Sequence, residues 1–165
     1  MARVVGIVFP LSLAVCLTIS AAALLGLPAE QRTLNTGAQI TLQVLLFGYV
    51  GCGGLGVAIG HALRERQVAE AIGWPAGNPF HYELSAATLG FAVLGLLTRW
   101  YGPEFWTAAA IGISVFQLGA GGVHLTDRIA SRKMGPLGGI AIVAFDFFAP
   151  VLLLGTLVVY YTTLS

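Results

Sequence analysis

Charged side chains are scarce in this chain: 9% of its 165 residues are Asp, Glu, Lys or Arg, against about 25% in a soluble domain. With 57% hydrophobic residues and a mean hydropathy of +0.86, the shortage excludes a soluble protein and implies an integral membrane one. A net charge of +1 offers no basic patch for a phosphate backbone, which excludes a nucleic-acid partner. Cysteine is scarce too. Cys16 and Cys52 each fall inside an apolar run, where a free thiol behaves as a small hydrophobe, so neither is read as a disulfide partner or metal ligand. Gly-x-Ser-x-Gly, Walker and zinc-protease signatures are all missing, which leaves hydrolysis and acyl transfer without a motif. No repeat or low-complexity segment occurs, and the length leaves no room for a separate soluble domain.

What is present is apolar length. Five runs reach the ~20 residues needed to cross hydrocarbon, at about 4–27, 37–63, 80–98, 105–125 and 137–161. The expectation is an all-α, polytopic transmembrane bundle of five spans, forming a single domain over residues 1–165. Arg3 and Ser20-Ala-Ala-Ala23 give the first run a look of a signal peptide, but it is too long for a typical signal core and is read as a span. Basic residues set orientation. Arg3, Arg64, Arg66, Arg128, Arg132 and Lys133 fall on one side, with only Arg32 and Arg99 on the other. This places the N-terminus in the cytoplasm, the C-terminus outside, and the chain in the inner (plasma) membrane. Trp100, Tyr101, Trp106, Tyr160 and Tyr161 then form an outer aromatic belt, with Trp74 and Tyr82 at the inner face.

The loop between the second and third runs has its own character. Residues 64–74 fit a short interfacial helix with Val68 and Ile72 on one side. Pro75 and Pro79 then break the chain, and Asn78-Pro79 reads as a helix start, a side-chain cap followed by proline.

Polar residues within the runs are few, so each counts. Asp146 lies about midway along an apolar run, where a carboxylate costs roughly 2.5–3.5 kcal/mol on insertion scales and faces the bundle interior with a partner. Pro150, four residues on, lacks the N–H that would bond the Asp146 carbonyl. Ser114, Gln117, Gly121 and His124 recur on one face of the fourth span, continued by Arg128. Counting ~1.5 Å per residue from the inner boundary puts Gln117 and Asp146 at one depth, so a Gln117–Asp146 hydrogen bond is expected. Glu83 heads a small-residue stripe through Ala86, Ala87 and Gly90; as a charge near a helix N-terminus it is also explained without a site. Gly48, Cys52, Gly56 and Gly60 form a small-xxx-small packing ridge on the second span. His61 ends that ridge as a lone, snorkelling residue, and His81 projects elsewhere at the interface.

These residues point to an inward-open polar pocket reaching the midplane, with Asp146, Gln117, His124, Glu83 and Ser114 taking a small ligand, cation or proton. Such a site suits a transport- or sensing-like protein, working as a homo-oligomer or with other membrane subunits. An accessory subunit of a larger membrane complex is the alternative. So is a redox protein in which His61 and His124, each preceded by glycine, hold haem. No close-spaced ligand motif supports another metal. An acid–base enzyme using Glu83 and His124 stays open.

The motif Gly73-Trp-Pro-Ala-Gly-Asn-Pro-Phe-His-Tyr-Glu83, with Gly112-Ile-Ser-Val-Phe-Gln117, Gly119-Ala-Gly-Gly-Val-His124 and Asp146-Phe-Phe-Ala-Pro150, resembles a bacterial family of small integral membrane proteins of unknown function. The resemblance covers about the C-terminal two thirds. It implies a membrane helical bundle and no activity. The chain departs from the family pattern at His81, where Gln is expected, and at Gly121, where an acidic residue is common. The second departure counts against a metal site centred on His124.

Overall fold

The computed structural model describes residues 2–72, 74–131 and 140–164. Its helices are α1 (Ala2–Leu25), α2 (Leu34–Val44), α3 (Gly54–Leu63), α4 (Glu65–Ile72), α5 (Phe80–Leu97), α6 (Pro103–Ser131) and α7 (Ile140–Thr162). A π-helical segment, Leu45–Gly53, joins α2 to α3 without a break. The protein is an all-α, polytopic membrane bundle. Leu34–Leu63, Phe80–Leu97, Pro103–Ala130 and Val143–Thr162 are each long and apolar enough to cross a bilayer. The helix α1 is 24 residues long. The expected start of the last run at Leu137, the basic pair Arg132 and Lys133, and Gly73 lie outside the described residues.

Local chemistry sets the helix ends. Thr33 caps α2 by accepting from the Thr36 N–H at 3.1 Å, and Arg32 donates back to the Leu27 and Leu25 carbonyls at 2.9 and 2.8 Å, the partners a helix C-terminus lacks. Asn78 Oδ1 accepts from Phe80 N at 3.0 Å as α5 begins. Pro103 opens α6 at a position needing no N–H. One end of the bundle is tied by Asn35 Nδ2 donating to the Tyr160 carbonyl at 2.9 Å and by Thr107 Oγ1 and Tyr161 OH at 2.9 Å.

The core gathers Leu42, Leu45, Leu46 and Tyr49 with Trp106 and Ala110 of α6, Leu153 and Leu157 of α7, and Leu13 and Cys16 of α1. Trp106 and Tyr160 belong to this core, 5% and 6% exposed, rather than to a lipid-facing belt. The Trp106 indole N–H reaches the Thr98 and Tyr101 carbonyls, so the residue pins the α5–α6 turn. The short helix α4 buries Val68 and Ala69 and packs on α1 as well as on α3.

The small-residue ridge does not form one face. A Cβ on Gly48 would meet Cys16 Sγ of α1, one on Gly60 would meet only Val68 of α4 at 3.9 Å, and Cys52 and Gly56 are exposed. Gly48 and Cys52 lie in the π segment, and Gly56 and Gly60 in α3. The close contact runs instead through Gly51, Gly54, Ala92 and Gly95. A Cβ on Gly95 would stand 2.5 Å from Gly51 N, and one on Gly54 3.1 Å from Ala92 Cβ. Ser85 Oγ adds a 2.8 Å bond to the Ala58 carbonyl. The stripe Glu83, Ala86, Ala87, Gly90 is exposed, because α5 turns its Thr88–Ala92–Gly95 side to the bundle.

Candidate functional site

The widest helix contact, α6 on α7, has a notch at Gly121. Gly121 presses so closely on α7 that a Cβ there would lie 2.9 Å from Asp146 Cβ and 3.2 Å from Phe147 Cε2. This fixes the level of Asp146. Its Oδ2 sits 2.8 Å from His124 Nδ1, within the range of charge-assisted bonds. An ionised carboxylate only accepts, so Nδ1–H donates and Nε2 faces away from the pair. The expected Gln117–Asp146 bond is absent. Gln117 lies seven residues, about 10 Å, further up α6. The depth count failed because α6 continues to Ser131, past the boundary assumed for it. Pro150 is fully buried in α7, leaving the Asp146 carbonyl without its i+4 donor.

Gln117 has a different partner. Its Nε2 donates to Tyr49 OH, from the π segment, and Tyr49 stands edge-on to Phe145 with ring centroids 5.9 Å apart. Gln117 is 6% exposed, and its Oε1 has no hydrogen-bond partner. Whichever way the amide is turned, one of its polar atoms is left over. Ser114, one turn away, is fully buried with its Oγ also unpartnered.

Between these groups is a cavity of about 510 Å³. Gln117 and Tyr49 lie on its wall, as do His124, Asp146, His61 and Trp74, among a majority of apolar side chains that includes Phe80, Phe91 and Phe116. Trp74 closes over His124, edge to face with centroids 5.5 Å apart, and its indole N–H donates to Asp127 Oδ2 at 3.3 Å. Of the expected ligand residues, then, Asp146, Gln117 and His124 share one cavity wall. Ser114 is buried off the wall, and Glu83 is exposed and off it.

The histidines depart most from expectation. His61 is not alone, and His81 is buried against it. The two are 9% and 1% exposed, their rings are stacked with centroids 5.5 Å apart, and their Nδ1 atoms are 3.3 Å apart, one donating to the other. His81 Nε2 lies 3.7 Å from Glu65 Oε1, which also accepts from Gly77 N at 2.6 Å; Gly77, at φ 81°, supplies the left-handed turn. Among the described residues no three His, Cys, Asp or Glu gather closely enough to hold a metal ion. Sequence reasoning missed Tyr49 on the cavity wall and His81 as the partner of His61. Helical spacing counted back from Gly51 and Gly54 could have flagged Tyr49 only had the π turn been known.

A model for a family of unknown function, DUF6790, matches residues 7–164. Comparison with curated proteins and with solved structures gave no match.

Proposed function

The chain belongs to DUF6790, a family of unknown function, and from that premise we propose a function on the site alone: the protein binds a small amphipathic molecule within the membrane, as a transporter- or sensor-like protein does. Gln117 carries the reading. A polar atom left over on a side chain 6% exposed costs ~1–3 kcal/mol, and the residue that carries it lines a cavity of ligand size. The apolar walls suit the body of such a molecule, Gln117 and Tyr49 its hydrogen-bonding group, and the His124–Asp146 pair a second polar group or a proton. With α1 as a fifth crossing and the basic residues cytoplasmic, the Trp74 end of the cavity faces the cytoplasm of the plasma membrane.

Gly119 gives the test. It lines the cavity, and a Cβ on it meets nothing within 4 Å, so Gly119→Phe fills the space without a forced clash. Organic extracts of the purified protein, read by mass spectrometry, should contain an enriched small molecule that Gly119→Phe loses. Gly122→Phe, equally unobstructed but off the wall, should keep it. Equal enrichment in both variants refutes the site.

One observation favours a second reading. His61 and His124 line the same cavity with each Nδ1 already engaged, the arrangement that orients Nε2 in histidine-ligated haem or metal sites. A purified protein without a Soret band removes the haem form of it.

A further inference from the structure

The cavity is closed at two levels and open at one side. At the first level Phe91 of α5 meets Phe116 of α6 with ring centroids 5.2 Å apart, and a Cβ on Gly112 would stand 3.3 Å from Phe91 Cε1. At the second, Trp74 lies against Phe80 and His124, at 6.1 and 5.5 Å between centroids. The two closures are about 12 Å apart along α6, counted from Phe116 to His124. Between them the wall turns round α6 at about 100° per residue. Gln117 and His124 stand about 40–60° from Gly121, the residue that meets α7. Ala120 and Phe116 follow, half-buried. Val123, Gly119 and Val115 come last, about 160–240° round in the same direction. All three line the cavity and are exposed as well, Val115 by 66%. A residue that does both stands at a mouth. The mouth therefore lies between α5 and α6, toward lipid, with Gln117 and His124 at the inner edge of the wall.

Depth restricts what can use such a mouth. Gln117 is midway between the ends of α6 at Pro103 and Ser131, about 21 Å from each. That puts it near the centre of a hydrocarbon layer ~30 Å thick. A charged head group drawn from the interface to that depth loses its hydration at a steep cost, whereas a hydroxyl or carbonyl loses little once it is hydrogen-bonded. The cavity, at about 510 Å³, is of small-molecule size, and a mouth that opens into hydrocarbon means it need not hold a whole tail. Resting on the reading of this cavity as a ligand site, we infer that its ligand is a single-tailed lipid with a small, uncharged, hydrogen-bonding head, which enters from the bilayer between α5 and α6. The head lies beside Gln117, and the tail runs out past Gly119 and Val115 into the bilayer. Trp74, held to Asp127 by its indole N–H, covers the other end and keeps the head from water.

The probe is hexadecanol with a photoreactive diazirine beside its hydroxyl group, incorporated sparsely into lipid nanodiscs that hold the full chain. Mass spectrometry of the digested protein locates the crosslinks. Bulk lipid reaches outward residues such as Val151 and Val158, 65% and 60% exposed, whereas the head of a bound alcohol should also label the inner wall at Tyr49, Gln117 or Ala120. Those inner crosslinks should be lost in Gly119→Phe and kept in Gly122→Phe. At equal mole fraction in the bilayer, unlabelled decanol, hexadecanol and docosanol should compete within about threefold of one another, because the added tail lies outside the cavity. Hexadecyl sulfate and hexadecyltrimethylammonium should compete at least about tenfold less well. Competition by decanol but not by docosanol marks a closed pocket and overturns the inference, as does equal competition by either charged amphiphile. If inner crosslinks are absent while extracts still yield a molecule that Gly119→Phe loses, the inference falls and the ligand site stands. If both are absent, the ligand site falls too. Competition is measured on the unaltered protein, so it decides the matter even if Gly119→Phe fails to fold.

Discussion

Replacing Gly121 by alanine tests whether the contact that sets the level of Asp146 is as tight as its geometry implies. Carbon atoms in good contact sit ~3.5–4.0 Å apart, and the new Cβ would begin 2.9 Å from Asp146 Cβ. That atom is anchored one bond from the α7 backbone, so it cannot swing aside as a side-chain tip could. The helices must part locally by about 0.6 Å. Overpacking of this kind costs ~1–3 kcal/mol, and the better helix propensity of alanine returns ~1 kcal/mol of it. Gly122→Ala gains the propensity without the clash, because its Cβ meets nothing within 4 Å. The difference between the two variants therefore isolates the contact at about 1–3 kcal/mol, or roughly 2–10 °C in Tm for a chain of this size. Thermal unfolding of both proteins in the same detergent measures it. Parting the helices also lengthens the 2.8 Å His124–Asp146 bond toward the ~3.2 Å limit. A Tm for Gly121→Ala equal to or above that of Gly122→Ala refutes the reasoning.

Two further outcomes follow from the same geometry. Tyr49→Phe strips Gln117 Nε2 of its acceptor in a buried position, and should cost ~1–3 kcal/mol; the double variant with Gln117→Leu should recover much of that in a double-mutant cycle, and additive losses would show that the pair is not coupled. Gly95→Ala places a Cβ 2.5 Å from Gly51 N and 2.7 Å from the Leu46 carbonyl, so it should abolish a monodisperse fold on size exclusion, whereas Gly56→Ala, at an exposed position, should stay within about 0.5 kcal/mol of the parent.

Much of the architecture is legible from hydropathy alone, because a bilayer forces every buried backbone group into helices. The polar face of α6 is legible as well, since Ser114, Gln117, Gly121 and His124 follow the period of a regular helix and turn inward together. What the sequence hides is the relation between helices. Asp146 pairs with His124 and not with Gln117 because the Gly121 notch decides the level, and that notch is a contact between two chain segments, not a pattern in either. The His61–His81 pair is hidden for the same reason: the residues are 20 positions apart on different helices. Glu83 misled because an acidic residue at the head of a helix is equally at home facing outward, and the side of α5 that packs is set by Ala92 and Gly95 against Gly51 and Gly54.

The π segment Leu45–Gly53 makes chain length itself a specificity element in an otherwise plain apolar run. Before it, Asn35 is bonded to the end of α7; within it, Tyr49 meets Gln117; after it, His61 meets His81. Removing any one residue between 45 and 53 would let the backbone relax into an ordinary α-helix with no loss of hydropathy. A residue lost from a regular helix turns one part against the other by about 100°, but here the return from π to α winding, which turns further per residue, makes up much of that angle. An added residue has no such relief, so an insertion there would part these three contacts even where every other residue is identical.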